Sequence, residues 1–190
     1  SISIMGKKQG NDVDMATLFY PPLQVSDIFT LGVDIAHAGM DQRKAHVIAR
    51  DVAKKLNWDS PICLHHNLIA GLTGPTKDKE NDNESLKMSK SKPDSAIFIH
   101  DTEEEIKNKI KKAYCPEGEV EFNPIINWVK TLIFLGEKEG KFEIKRKEEF
   151  GGDLDFNNFD KFVESYKNKE IHPMDLKNGV AQWLIEKLRP

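Results

Sequence analysis

Short apolar segments alternate with helix-forming stretches over the first 113 residues, and this alternation constrains the fold more than any other feature. Three segments are short, apolar and bounded by turn-forming or charged residues, as buried strands are: Val33 to Ala36, Pro61 to His65 and Ala96 to Ile99. Residues 40–57 and 101–113 have the apolar spacing and charge order of helices. Strands that alternate with helices predict an α/β protein containing part of a doubly wound sheet.

Capping signals mark the ends of these helices. The helix over 101–113 can begin at Asp101 or Thr102, and glutamates followed by lysines complement its dipole. Asp41 is the expected N-cap of the helix over 40–57. A further helix over 13–31 is predicted to begin at Pro21-Pro22 or to break there, and to end at Gly32.

The pattern changes after Pro116, where helical segments dominate. Residues 124–135, 158–168 and 173–188 are predicted helices, and only Phe142 to Ile144 is strand-like. We therefore expect a domain boundary near residue 117, with one domain over 1–117 and a mainly helical domain over 118–190. Residues 73–86 are charged and contain glycine and proline, which indicates a flexible loop.

Composition excludes several classes of protein. The chain has 190 residues and a net charge of −3, so no overall basic field favours nucleic acid, and any RNA contact needs a local patch. Two cysteines, Cys63 and Cys115, form neither a disulfide framework nor a zinc motif. No apolar run approaches about 18 residues, so no membrane span is expected. No signal peptide is visible, and a cytoplasmic location is the simplest interpretation.

Two lysines and two serines lie together in the segment Lys87 to Ser91, whose sequence is KMSKS. Lysine ammonium groups, hydroxyls and backbone N–H groups are the donors that bind polyphosphate, so the segment indicates ATP chemistry at a loop. An ordinary solvated loop is the alternative that composition alone favours.

Polar side chains also recur on the first helix and at the turn after the first strand. Tyr20, Gln24 and Asp27 have the spacing i, i+4, i+7, which places them on one helical face, where they could bind a small polar ligand or simply face solvent. The segment Gly32 to Arg43 predicts a strand, a glycine turn and a helix N-terminus, which form a crevice at the carboxyl edge of a sheet. It lacks the G-x-G-x-x-G pattern of dinucleotide sites.

KMSKS is the signature of class I aminoacyl-tRNA synthetases, and from about Leu18 onward the chain resembles tyrosyl-tRNA synthetases of the archaeal and eukaryotic type. The resemblance is carried by the polar stripe of the first helix (Tyr20, Gln24 and Asp27) and by the segment Gly32 to Arg43. Later landmarks lie at 111–116, 150–153 and 172–178. This resemblance implies the second half of a Rossmann-like catalytic domain followed by a helical anticodon-binding domain. The missing His-x-Gly-His motif of the class suggests the C-terminal part of a longer protein.

The resemblance implies a role for each matching residue. Tyr20, Gln24 and Gln42 would hold the α-amino group of tyrosine, and Asp27 would bind its phenol. Lys87, Met88, Ser89 and Lys90 would bind ATP, and Lys87, Ser89, Lys90 and Ser91 would assist catalysis. Phe150, His172 and Asp175 would contact the anticodon. The implied substrates are tyrosine, ATP with Mg²⁺ and tRNA-Tyr, with no prosthetic group and no metal held by protein ligands. The full-length protein would be a homodimer.

Other functions stay open at this point. A tryptophanyl-tRNA synthetase would share the fold and the KMSKS loop, although Asp27 favours a phenol over an indole. A tRNA-binding relative without catalytic activity is the alternative from another class, and a split enzyme with its first half on a separate chain is a further one. We expect this chain alone not to aminoacylate tRNA.

Overall fold

The computed structural model describes residues 15–75, 88 and 92–189, apart from the side chain of Thr17. The helices and strands, in chain order, are α1 Met15–Thr30, β1 Ile35–Gly39, α2 Arg43–Leu56, β2 Ile62–His66, α3 Glu103–Lys112, α4 Pro124–Trp128 with a π-helical continuation Val129–Phe134, β3 Phe142–Ile144, β4 Leu154–Phe156, α5 Phe159–Lys167 and α6 Pro173–Leu188. Single 3-10 turns occupy Met40–Gln42, Pro93–Ser95 and Glu148–Phe150. The mixed α/β prediction is confirmed.

The chain packs as two compact units that divide between Leu68 and Ile69. Helix α3 lies before the expected domain boundary near residue 117, and it packs within the second of these units. Its apolar face buries Ile106 and Ile110 in the same hydrophobic cluster as α6. Burial of that face assigns α3 to the second unit.

In the first unit, β1 and β2 form a parallel pair joined by α2, as the alternating pattern predicts. Ile35 pairs with Ile62, and Gly39 pairs with His66. Helices α1 and α2 pack together over a small core of apolar side chains. Its buried members are Val25, Ile28, Ala36, Ala45 and Ala49.

Helix α1 passes through Pro21 and Pro22 without interruption, so the prediction that it begins or breaks there is wrong. A proline in a helix interior removes a backbone hydrogen bond and costs about 3 kcal/mol or more. Packing offsets this cost, because Pro21, Val25 and Ile28 follow one another on one face and are all buried.

The second unit is organised around an aromatic cluster. The ring of Phe162 is fully buried and lies 5.5 Å from Phe156 and 5.7 Å from Phe142, centroid to centroid. Strand β3 pairs antiparallel with β4 and packs on α6. The sequence predicted β3 but not β4. A Cβ atom at Gly179 of α6 would lie 3.2 Å from the Phe142 ring, so glycine permits this close approach.

The predicted third strand, Ala96 to Ile99, is wrong: these residues form no strand and lead into a turn. The backbone bonds locally instead, since the N–H of Phe98 donates to the Asp101 carboxylate at 2.8 Å and the N–H of Asp101 donates to the Phe98 carbonyl at 3.0 Å. Helix α3 then begins with the expected capping box between Thr102 and Glu105.

Within the described ranges, no helix has the length and apolar character needed to span a bilayer.

Candidate functional site

The polar stripe of α1 lies beside its buried apolar face. The buried face consists of Pro21, Val25 and Ile28. Each residue of the polar stripe comes one position before one of these, so the stripe lies to the side of the buried face, where the helix is more accessible. Gln24 is half-buried, whereas Tyr20 and Asp27 are exposed. The three residues share one side of the helix, as the i, i+4, i+7 spacing predicts.

Gln24 and Gln42 meet although 18 positions separate them in the sequence. Gln42 ends the 3-10 turn that follows β1, and its Oε1 accepts a hydrogen bond from Gln24 Nε2 at 2.8 Å. Gln42 Nε2 in turn donates to Asp41 Oδ2 at 3.2 Å. The three side chains form one directed chain of amide and carboxylate groups.

The Oε1 atom of Gln24 is buried and accepts no hydrogen bond from the described residues. A buried acceptor without a donor costs about 1–3 kcal/mol, so a partner such as an ordered water or a ligand group is expected at this atom. An ammonium group of a ligand would supply the missing donor with a charge-assisted hydrogen bond. This atom is therefore the place in the site where a donor group of a ligand would be accepted.

Asp41 is not the N-cap predicted for the second helix. Helix α2 begins at Arg43 after a 3-10 turn, and no side chain caps it. The Asp41 carboxylate lies instead over the end of β1, where its Oδ1 is 2.6 Å from the position that a Cβ on Gly39 would take. Glycine at position 39 therefore makes room for this carboxylate.

The structure does not bring Tyr20 or Asp27 into a hydrogen bond with the Gln24–Gln42 pair, in the part of the chain that it describes. Both side chains remain open to solvent, with 61% of Tyr20 exposed. The role of Asp27 toward a phenol stays a prediction.

Of the KMSKS segment, the structure describes Met88 alone. Its side chain is half-buried and packs against the hydrophobic cluster of the second unit. The predictions for Lys87, Ser89, Lys90 and Ser91 fall outside the described residues.

The three predicted anticodon contacts occupy two segments of the second unit. Phe150 follows β3 at the end of a 3-10 turn, and 61% of it is exposed. His172 caps α6, since its Nδ1 accepts a hydrogen bond from the Met174 N–H at 3.1 Å. Asp175 is half-buried in the first turn of that helix.

Arg146 links these two segments, and sequence reasoning did not identify it. Its Nε donates to the Gly152 carbonyl at 2.9 Å and its Nη1 donates to the Glu170 carbonyl at 3.1 Å. The Arg146 N–H also donates to Asp153 Oδ1 at 2.8 Å, which with Lys145 lowers the pKa of Asp153. One guanidinium thus holds the loop after Phe150 and the residues just before His172.

Comparison with known proteins identifies the class. The family model of class I tRNA synthetases (W and Y) matches residues 4–189, and the chain belongs to this family. It is 50% identical to the tyrosine–tRNA ligase of Thermococcus sibiricus over 206 residues, which cover all of this chain and 55% of that protein. The chain spans about half the length of the curated relatives it matches.

Two solved structures agree with this assignment. The tyrosyl-tRNA synthetase of Pyrococcus horikoshii complexed with L-tyrosine is 46% identical with a TM-score of 0.85, over 99% of this chain and 55% of that one. The corresponding complex from Archaeoglobus fulgidus is 36% identical with a TM-score of 0.76, over 99% of this chain and 56% of that one.

Proposed function

We propose that this chain is the C-terminal part of a tyrosine–tRNA ligase. The reaction joins tyrosine to ATP as tyrosyl-adenylate with release of pyrophosphate, and then transfers the tyrosyl group to tRNA-Tyr. The observation that carries the proposal is the buried, unpaired Oε1 of Gln24 beside Gln42. Two similar structures are complexes with L-tyrosine, which supports an amino acid as the ligand of this site.

Each residue of the site has a distinct role in tyrosine binding. Gln24 accepts a hydrogen bond from the substrate ammonium, and Gln42 orients the Gln24 amide through the 2.8 Å bond between them. Tyr20 contributes its hydroxyl to the amino end. Asp27 accepts a hydrogen bond from the phenol, a donor that phenylalanine lacks. Sites that bury such a hydroxyl-reading group reject the analogue without the hydroxyl by roughly 10⁴–10⁵-fold, and tyrosyl-tRNA synthetase is a known case. Asp27 is exposed in this chain, so a ratio of this size requires that the complete pocket cover it.

The KMSKS segment supplies positive charge for the activation step. Lys87 and Lys90 neutralise the departing pyrophosphate, and Ser89 and Ser91 hold the loop or donate to phosphate. Met88 anchors the segment, because its half-buried side chain packs on the core of the second unit. Mg²⁺ enters with ATP as part of the substrate, and we propose no prosthetic group and no resident metal.

We propose that residues 1–117 belong to the catalytic part and residues 118–190 to an anticodon-binding domain. Phe150 and His172 would stack on an unpaired base and Asp175 would bond its edge, which is how proteins read single-stranded RNA. Arg146 is a positioning residue, since it joins the segments that carry these groups. We propose a cytoplasmic, homodimeric full-length enzyme without membrane association.

The first test is amino acid-dependent exchange of pyrophosphate into ATP. The protein is a fusion of this chain to the part of the Thermococcus sibiricus ligase that the match does not cover. We expect exchange with tyrosine and none with tryptophan or phenylalanine. Exchange with tryptophan would identify a tryptophanyl-tRNA synthetase. No exchange from a folded fusion that binds tRNA-Tyr would favour the relative without catalytic activity.

Variants of the fusion separate the roles. Asp27→Ala should reduce selection of tyrosine over phenylalanine, whereas Gln24→Ala should raise the KM for tyrosine without relaxing that selection. Lys147→Gln, which removes an exposed charge paired with Glu149, is the control. Unchanged selection in Asp27→Ala would remove the reason for choosing a phenol as substrate. The unfused chain should not aminoacylate tRNA, and tyrosylation by it would contradict the proposed division of the catalytic part.

A further inference from the structure

Two histidines from neighbouring strands meet on the open face of the β1–β2 sheet. His37 Nε2 and His66 Nδ1 are 3.1 Å apart, and both side chains are exposed. Gly39 pairs with His66 in the ladder and His37 pairs with Leu64, so the two histidines are diagonal neighbours on one face. The function proposed above uses neither of them.

The separation of the two nitrogens matches that of two ligands on one metal ion. Imidazole binds zinc at about 2.0–2.1 Å, so two nitrogens in tetrahedral coordination lie about 3.3 Å apart. At the right angle of a square-planar ion, the same bond lengths give about 2.9 Å. The observed 3.1 Å lies between these values. In the metal-free chain the contact is a hydrogen bond between the two rings, so metal binding replaces it and moves the donor ring's proton to that ring's other nitrogen.

The surroundings keep this pair accessible and rigid. Hydrogen bonds of the parallel ladder fix both backbones, and Gly39 puts no side chain opposite His66. The Asp41 carboxylate lies against Gly39 on the same face. Among the described residues, no group of three or more histidine, cysteine or carboxylate side chains could hold a metal, so water would complete the coordination.

We propose that His37 and His66 chelate one transition-metal ion of the kind that imidazole prefers, Zn²⁺, Ni²⁺ or Cu²⁺. The ion binds His37 Nε2 and His66 Nδ1, and each ring carries its proton on its other nitrogen. The remaining positions hold exchangeable water or an anionic ligand. The site stands on this geometry alone and is independent of the ligase proposal.

The chain contains a second histidine pair that serves as an internal comparison. His46 Nδ1 and His65 Nε2 are 3.0 Å apart, but only 5% of His46 is exposed and the pair lies on the opposite, helix-covered face. Burial, and the charge of His65, lower the pKa of His46. Two pairs with almost equal nitrogen separation thus differ in access, and only the open one should bind metal.

The test is calorimetric titration of the 190-residue chain with NiCl₂, repeated with ZnCl₂. We expect one ion per chain. His37→Ala and His66→Ala should each weaken binding by about tenfold or more, because either change removes the chelate. The double variant should be little weaker than either single variant. His100→Ala removes an exposed histidine that stacks on Phe98 far along the sequence, and it should bind as the parent does.

Electron paramagnetic resonance of the Cu²⁺-loaded chain gives a second readout. The parent should show two coordinated nitrogens, and His37→Ala should show one. Circular dichroism of each variant checks that the fold is retained, which is expected for two exposed side chains. Parent-like affinity and nitrogen count in both single variants would overturn the proposal, as would equal losses in His37→Ala and His100→Ala. Binding that is lost only in His65→Ala would assign the ion to the buried pair instead.

Discussion

The ion pair between Asp101 and Lys109 should be a large single contribution to the stability of the second unit. Asp101 Oδ2 and Lys109 Nζ are 2.6 Å apart, and only 5% and 14% of the two side chains are exposed. The same carboxylate accepts the Phe98 N–H, and the ammonium lies 4.7 Å from the Phe98 ring centroid. Removing one partner of a buried pair costs about 3–5 kcal/mol, because the other charge stays buried and uncompensated.

We expect Asp101→Asn to lower the free energy of unfolding by about 2–3 kcal/mol, since the amide oxygen can still accept the Phe98 N–H. Asp101→Ala loses that hydrogen bond as well and should cost about 1 kcal/mol more. Urea unfolding followed by tryptophan fluorescence measures both values. The matched control is Glu117→Gln, which breaks an exposed pair with Lys169 and should change stability by at most about 0.5 kcal/mol.

The pH dependence gives the same prediction an independent check. Burial by itself would raise the pKa of Asp101, but the hydrogen bonds from Lys109 and the Phe98 N–H outweigh it and lower the pKa below its usual value. The pair therefore stabilises the protein above the unfolded pKa of about 4, and this is lost as the pH falls through the folded pKa. An Asp101→Asn effect below about 0.5 kcal/mol at pH 7, or one that does not shrink in acid, would refute the reasoning.

Three further changes test other parts of the structure. Thr102→Ala removes the capping box of α3 and should cost about 1 kcal/mol in urea unfolding, with the helix retained by circular dichroism. Gly74→Ala should destabilise by about 2 kcal/mol or more, because φ is +69° and a Cβ would overlap the Tyr114 ring; a neutral result in the same assay would contradict this geometry. The lowered pKa of His46 means that the unfolded state takes up a proton first on acidification, so stability should fall as the pH drops from about 7.5 to below about 6.5. His46→Gln should remove this part of the pH dependence, and an unchanged slope would assign it elsewhere.

The sequence predicted correctly those elements that depend on interactions between residues close together in the chain. The helix over 101–113 is confirmed as α3, because its capping box and charge order lie within a few residues of one another. The pairing of strands depends on distant residues, and here the sequence was less informative. Ala96 to Ile99 has the composition of a strand but bonds to Asp101 instead, and the three-residue strand β4 was missed because it is recognisable only by its pairing with β3.

The candidate site shows the same limit. The helical spacing correctly placed Tyr20, Gln24 and Asp27 on one side of α1, but it could not reveal the contact between Gln24 and Gln42, which belong to different elements. Gln42 entered the predicted site through the family resemblance. Arg146 had no sequence signal, because its partners are backbone carbonyls, which every residue has. The Gly152 carbonyl lies in a tight turn, and the only sequence sign of that turn is the pair of glycines at 151 and 152, both of which have positive φ.

The unequal cores of the two units should be visible in native-state hydrogen exchange. Five described apolar residues are buried in the cluster of the first unit, and three of them are alanines that contribute little area. The cluster of the second unit contains Trp128, Tyr166 and three buried phenylalanines. Amides of α2 and β1 should therefore exchange faster, through frequent local opening. Amides of α6 should exchange more slowly, because their exchange requires rarer and larger unfolding. The segment that carries Gln24 and Gln42 would then be the more plastic part of the chain, able to adjust its shape around a ligand.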